Sequence, residues 1–240
     1  MIKICAISDL HGALPEIGQC DVVFICGDTF PLNVQRSAEK SQKWFLNEFC
    51  EWVKSVPCKT IYFIGGNHCF WLESFGYDNI VSLIEETPGL HGKLVYVEDS
   101  LIEIEGGLTL YGCPWCIGPK GWAFIDETGS KYKDIPDCDI LLTHQPPLVN
   151  KVGCSYPGTA WEREFGSEEL KNVIKNRHIR YNFFGHIHSG THGGDGLVGC
   201  ETVFYNVSLK DEDYKVAYEP TYVLFYNKDV NAFYNDETGK

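Results

Sequence analysis

Apolar residues gather in short runs, and each run stops at a glycine or a carboxylate. Residues 2–8 (IKICAIS), 21–26 (DVVFIC) and 60–64 (TIYFI) are three of them, closed by SDLHG, GDTF and GGNH. Continuous apolar runs of this length between turn signals predict buried strands. Between the second and third runs, Trp44, Phe45, Phe49, Trp52 and Val53 recur at helical spacing within 36–54. Strand, helix and strand in succession predict an α/β fold.

The same reading continues down the chain. Residues 77–86 predict a short helix, and 93–112 predict two or three strands around the EGG turn at 105–107. A loop rich in Gly, Pro and Trp follows over 112–136. The run 138–142 (CDILL) predicts a further buried strand ending at THQPP, and a helix is expected over 167–177. Ser167 would cap that helix, with glutamates in its first turn. Strands are expected at 180–184, near 202–206 and near 221–226, before a polar tail at 228–240. No repeat or linker interrupts the pattern, so residues 1–227 are expected to form a single domain.

Composition narrows the class. Hydrophobic residues make up 44 % of the 240, enough for a sizeable core. No apolar run is long enough to span a membrane, and MIKICAISDLHG reads as a first strand rather than a signal peptide. The 11 cysteines are odd in number, and Cys5, Cys26 and Cys138 lie inside strand-like runs. Such residues act as small core fillers, which suits a reducing, cytoplasmic location. CPWC, from Cys113 to Cys116, leaves open a redox pair or half a zinc site, although no second C-x-x-C completes four ligands. The net charge of −13 argues against an extended nucleic-acid or membrane-binding face. A small anionic substrate is compatible with it, because distant surface charge is screened beyond about 10 Å.

Chemistry concentrates at the strand ends. FFGHIHSG places His186 and His188 one residue apart after a strand, and alternate positions there point the same way. Four other strand ends carry Asp9 and His11, Asp28, Asn67 and His68, and His144. In an open α/β sheet the carboxyl ends of strands share one rim, where sites are built. Omitting His68, these residues offer seven donors, whereas one tetrahedral ion would use four. Seven suit two ions with a bridging carboxylate, and the mixture of His, Asp and Asn fits Mn, Fe, Zn or Co better than calcium. Two ions about 3.5–4 Å apart can hold a bridging hydroxide and clamp an in-line displacement at phosphorus. His68, beside Asn67 yet not required as a ligand, is the candidate acid for the leaving group or a hydrogen-bond donor to the phosphoryl oxygens.

In order, SDLHG, GDTF, GGNHC, THQPP and FFGHIHSG match the D-x-H, G-D, G-N-H, H and G-H-x-H blocks of the calcineurin-like metallophosphoesterases, which the chain resembles over roughly 2–226. The resemblance implies a four-layer α/β/β/α sandwich. It implies that Asp9, His11, Asp28 and His188 hold a first metal ion. Asp28 would bridge to a second held by Asn67, His144 and His186, with His68 facing the substrate. The implied cofactors are two divalent ions, manganese first, with iron, zinc, cobalt or nickel as alternatives. YGCPWC, GWAFI, THQPP and YNVSL…YEPTYVLF look most like the small metallophosphodiesterases related to the brain protein group of this fold. Two departures stand out. Cys69 replaces the Asp or Glu of many members, and TFPLN after Asp28 lacks the arginine-bearing continuation of Ser/Thr protein phosphatases.

The implied function is hydrolysis of phosphodiester bonds, cyclic or modified nucleotides included, or of phosphomonoester bonds in a small substrate. The alternatives are a non-catalytic binding or scaffold protein on the same fold, and a thiol oxidoreductase using Cys113 and Cys116. Taken singly, Asp9 and Asp28 could cap turns, Asn67 could adopt a left-handed turn and His144 could be a hydrogen-bonded loop residue. His91 reads as a solvated loop residue, His178 as a cation at a helix C-terminus, and His192 as part of a glycine-rich mobile loop near the site. Trp115 and Trp122 could wall the pocket or fill the core. Specificity is expected in the loops 113–136 and 150–166, where Arg163 could pair with a phosphate. The sequon NVS at 206–208 carries little weight without a secretory signal. Oligomeric state leaves no trace in the sequence.

Overall fold

Strand β1 (Ile2–Ile7) serves two cores at once. Ile4 and Ala6 face one apolar cluster, while Cys5 and Ile7 face another. That is the period-two alternation of a strand buried on both sides. The computed structural model describes residues 1–149, 151–197 and 200–225, so the tail expected at 228–240 lies outside the described residues.

Two sheets stack face to face. The first joins β1, β2 (Val22–Ile25), β3 (Thr60–Phe63) and β4 (Leu94–Tyr96) in parallel, and a late strand lies antiparallel beside β1. The second contains β5 (Ser100–Ile104), β6 (Leu108–Cys113), β7 (Cys138–Thr143), β10 (Ile179–Phe184), β11 (Gly193–Gly196) and β12 (Val203–Asn206). Its order is β11-β12-β10-β7-β6-β5, parallel except at the two edges. The late strand of the first sheet is β13 (Thr221–Phe225), and β8 (Cys154–Ser155) with β9 (Arg163–Glu164) forms a separate small hairpin.

Helices cover the outer faces. α1 (Ala38–Trp44), a π-helical turn (Phe45–Phe49), α2 (Cys50–Ser55), α3 (Phe70–Phe75) and α4 (Tyr77–Glu86) pack on the first sheet. Phe45 and Phe49, four apart in the π turn, stack at 5.3 Å in that core. Each large apolar side chain so buried contributes about 1.5–3 kcal/mol relative to exposure. α5 (Glu168–Lys175) covers the second sheet, and Ser167 Oγ accepts the Leu170 N–H as its N-cap. A third cluster, Ile4, Phe24, Leu110, Leu142 and Phe183 among it, lies between the sheets. The result is the expected α/β/β/α sandwich.

Most expected elements appear within a residue or two of their predicted bounds. Three departures have local causes. α3 follows so closely on GNH that its six residues show no full helical period. The β8–β9 hairpin has two residues per strand, too short for a pattern. β11 consists of GGDG, a sequence that reads as a loop and forms a strand only because β12 offers its edge. Among the described residues no helix is long and apolar enough to cross a membrane.

Candidate metal centre

The carboxyl ends of β1, β2, β3, β7 and β10 deliver Asp9, Asp28, Asn67, His144 and His186 to one rim spanning both sheets. His11, His68 and His188 follow within two residues. Backbone strain is concentrated there. Asp9 (φ 53°), His11 (φ 41°), Asp28 (φ 50°) and His186 (φ 69°) adopt left-handed conformations. Such conformations cost of order 1–3 kcal/mol each and persist where the surroundings over-determine them. Here the surroundings are backbone bonds: His11 N–H to Asp28 O at 2.9 Å and Asp9 N–H to Gly27 O at 3.2 Å. Close approach also dictates two glycines. A Cβ on Gly66 would lie 2.5 Å from Asp28 Oδ1, and one on Gly185 would lie 2.1 Å from Asp9 Oδ2.

Two buried carboxylates form the axis of the cluster. Asp9 is fully buried and Asp28 is 2 % exposed, and among the described residues their ion-pair neighbours are imidazoles, with no lysine or arginine. Asp28 Oδ2 lies 3.1 Å from His144 Nε2 and 3.9 Å from both His11 Nε2 and His68 Nε2. Asp9 Oδ1 lies 3.4 Å from His188 Nε2, and both its oxygens accept the His186 N–H. Asn67 Oδ1 stands 2.9 Å from His144 Nε2 and 2.9 Å from His186 Nδ1. Backbone carbonyls orient two rings: His144 Nδ1 meets Cys26 O and His188 Nδ1 meets Asp211 O, each at 2.8 Å. This is how metal-binding imidazoles are commonly held, with the second nitrogen turned inward.

Charge in the cluster is balanced by protons. Burial opposes a charge on His144, but Asp28 outweighs it and raises the imidazole to about 9. Burial likewise opposes His188, and the hydrogen bond to Asp9 raises it to about 9. Both carboxylates are held below their ordinary range despite burial, Asp9 by His188 and Asp28 by His144. Burial lowers His11 and His186 to about 4, so these stay neutral. Among the described residues neither nitrogen of His11 has a hydrogen-bond partner, although both are buried.

These observations fit a metal site. Orphaned imidazole nitrogens, carboxylates paired with imidazoles and a shared amide oxygen converge, and three overlapping triads hold ligand atoms within 4.8 Å of one another. The triads are Asp9–His11–His188, His11–Asp28–His68 and Asp9–Asp28–His144. A fourth, Cys116–His144–His186, includes the second cysteine of the CPWC spacing. Cys113 and Cys116 are both free thiols. Cys113 packs in the apolar cluster under α5, while burial pushes the Cys116 thiol up beside the imidazoles.

All eight predicted site residues are thus brought together. Three further residues adjoin them, of which Gln35 and Tyr214 carried no sequence signal. Gln35 Oε1 lies 2.6 Å from His68 Nδ1. Tyr214 presents its ring edge-on to His11 at 4.9 Å and to His188 at 5.2 Å. Trp122 packs 4.6 Å from His68 and walls the site, whereas Trp115 donates from Nε1 to Asp99 away from it. The remaining histidines lie outside. His91 is exposed and pairs with Glu85, and His178 is exposed. His192 stacks on Tyr218 at 3.5 Å and bonds Ser208 O rather than facing the cluster. Asn206 of the sequon is fully buried, its Nδ2 donating to Ile187 O at 2.9 Å, which removes it as a glycosylation acceptor.

A four-layer sandwich that gathers carboxylates, imidazoles and an amide at its strand ends has the architecture of a phosphoesterase domain. The chain belongs to the calcineurin-like phosphoesterase family, whose profile matches residues 2–190. Two Caenorhabditis elegans proteins are similar to it. UPF0046 protein C25E10.12 is 30 % identical over 91 % of this chain and 79 % of its own length. UPF0046 protein T07D4.2 is 33 % identical over 60 % of this chain but only 38 % of its own length. Among solved structures, phosphopantetheinyl hydrolase from Mycobacterium tuberculosis matches with TM-score 0.55 and 14 % identity, covering 92 % of this chain and 95 % of that one. The protein TT1561 of Thermus thermophilus matches with TM-score 0.51 and 14 % identity over 85 % of this chain and 88 % of that one. At these identities the structures share the fold.

Proposed function

We propose that the chain hydrolyses phosphodiester or phosphomonoester bonds in a small substrate, nucleotides included, with two divalent ions. Asp9, His11, Asp28 and His188 would hold one ion, and Asn67, His144 and His186 the other, with Asp28 between them. The observation that carries this reading is the pair of buried carboxylates that, among the described residues, meet imidazoles and no lysine or arginine, facing a buried imidazole with two orphaned nitrogens. In the metal-free cluster the protons of His144 and His188 offset these buried charges, and divalent ions would take the place of those protons. When bound, such ions supply Lewis acidity toward phosphoryl oxygens and a nucleophile from water at neutral pH.

The chain's own residues do the rest. His68 is 8 % exposed and sits at the rim between Asp28 and Trp122. With Gln35 Oε1 accepting from Nδ1–H, its Nε2 is left to hold or release a proton at the leaving-group oxygen. Asp28 Oδ1 accepts the His68 N–H at 2.8 Å, so the position of that ring is tied to the carboxylate at the centre. Trp122 and Tyr214 pack their rings against His68, at 4.6 Å and 6.3 Å between centroids.

The test is hydrolysis of bis-p-nitrophenyl phosphate and of p-nitrophenyl phosphate by chelator-stripped protein, with Mn(II) or Co(II) returned. Turnover that depends on the metal and disappears in Asp28→Ala is expected, and the preferred ester then assigns the subclass. Bound metal with no turnover on either ester would favour a non-catalytic binding protein.

A further inference from the structure

One chemically active side chain at the centre has no role in the chemistry above. Cys116 is 1 % exposed, yet it belongs to none of the three apolar clusters that absorb Cys113 and most other buried cysteines. Its sulfur lies within 4.8 Å of a ring nitrogen of both His144 and His186. The loop that carries it is pinned from both sides. Cys116 N–H donates to Phe124 O at 2.8 Å, Asp126 N–H donates to Cys116 O at 3.0 Å, and Ile117 N–H donates to Gln145 Oε1 at 2.7 Å. Gln145 is the next residue after His144, so thiol and imidazole are positioned by one local network.

We infer that Cys116 is an additional ligand, giving a thiolate to the ion held by Asn67, His144 and His186. The inference rests on the two-ion reading and makes its two positions chemically unequal. With Zn–S near 2.3 Å and Zn–N near 2.1 Å, atoms bound to one ion are at most about 4.4 Å apart. Groups within 4.8 Å of one another reach that spacing by a small side-chain shift. As the ion binds, the S–H bond breaks and the proton leaves to solvent. The position held by Asp9, His11 and His188 carries only oxygen and nitrogen. Sulfur at the other position selects zinc, cobalt or iron over manganese there.

The experiment loads the full chain with Co(II) under reducing conditions and records its absorption. Visible ligand-field bands report bound cobalt whatever the ligands, and a near-ultraviolet sulfur-to-cobalt charge-transfer band reports a thiolate. Both sets of bands are expected in the wild-type chain, at two ions per chain. In Cys116→Ser the charge-transfer band disappears while the visible bands remain, and Cys113→Ser and Cys69→Ser retain both. Zn(II) affinity at the altered position falls by roughly tenfold or more, and Mn(II) affinity is little changed. Cobalt-loaded wild type without the charge-transfer band overturns the inference even if Cys116→Ser does not fold. So does a band that survives in Cys116→Ser. A chain that binds no cobalt at all removes the inference together with the two-ion reading, an outcome told apart by the missing visible bands.

Discussion

Asp28 grips His68 by its backbone: Oδ1 accepts the His68 N–H at 2.8 Å, while Oδ2 stands 3.9 Å from the same residue's Nε2. The imidazole proposed to face the leaving group is therefore set by the carboxylate proposed to sit between the ions. Gln35 completes the hold from the other ring nitrogen. Gln35→Leu is expected to lower kcat by about tenfold with a smaller change in KM, because proton transfer rather than binding loses its alignment. Steady-state kinetics on p-nitrophenyl esters measures this; equal loss in kcat and metal content would point to a structural role instead.

Metal uptake should displace protons. His144 and His188, raised to about 9, must lose their protons to bind an ion, whereas His11 and His186, lowered to about 4, are already neutral. Calorimetry near pH 7 in buffers of different ionisation enthalpy should report about two protons released by these imidazoles, one per ion, and the apparent affinity for each ion should rise about tenfold per pH unit between 6.5 and 9.

The metal-free chain should be most stable near pH 6.5. The raised pair contributes stability that is fully present below the unfolded value of 6.5 and is lost as pH climbs through about 9. The lowered pair acts oppositely: the unfolded chain takes up protons below 6.5 that the folded state refuses until about 4, so stability falls there too. Denaturant midpoints of chelator-treated protein across pH 5 to 9 give the comparison. A curve rising steadily through this range would contradict the assigned shifts.

How much of this was legible beforehand follows from where each signal resides. Asp9, Asp28, Asn67, His144 and the His186–His188 pair stand directly after buried strands, so pattern alone located them. Gln35, Tyr214 and Cys116 reach the centre from loops whose course is set by tertiary packing, and nothing in their local sequence marks them. Cys116 was visible only as C-x-x-C, a spacing that suggests partnership with Cys113; the fold turns the two into different surroundings. The same limit applied to β11, whose glycines form a strand through pairing with β12 rather than through propensity.

Gly66→Ala probes the packing of the centre without replacing a ligand. The added methyl would meet Asp28 Oδ1 at 2.5 Å and the His144 ring at 2.8 Å. The expected outcome is a chain that retains its secondary structure by circular dichroism but loses at least roughly tenfold in metal affinity, in line with the cost of disturbing the groups that support ligands.

Far from the centre, Cys58 should be an unusually reactive thiol. The hydrogen bond from Cys20 and the Lys93 ammonium, 3.5 Å from its sulfur, lower it to about 7 against the opposing effect of burial. Alkylation of Cys58 by iodoacetamide, followed by peptide mass spectrometry, should show a rate midpoint near pH 7 and run ahead of the nine buried cysteines. Lys93→Met should move that midpoint upward.

The most direct test of a two-ion centre bridged by Asp28 is a metal count on wild type and Asp28→Ala, by elemental analysis after loading with Co(II) and removal of excess. Two ions per wild-type chain and a clear loss in the variant are expected, since the carboxylate between the positions is gone. One ion or none in the wild type, or two retained in Asp28→Ala, would contradict it.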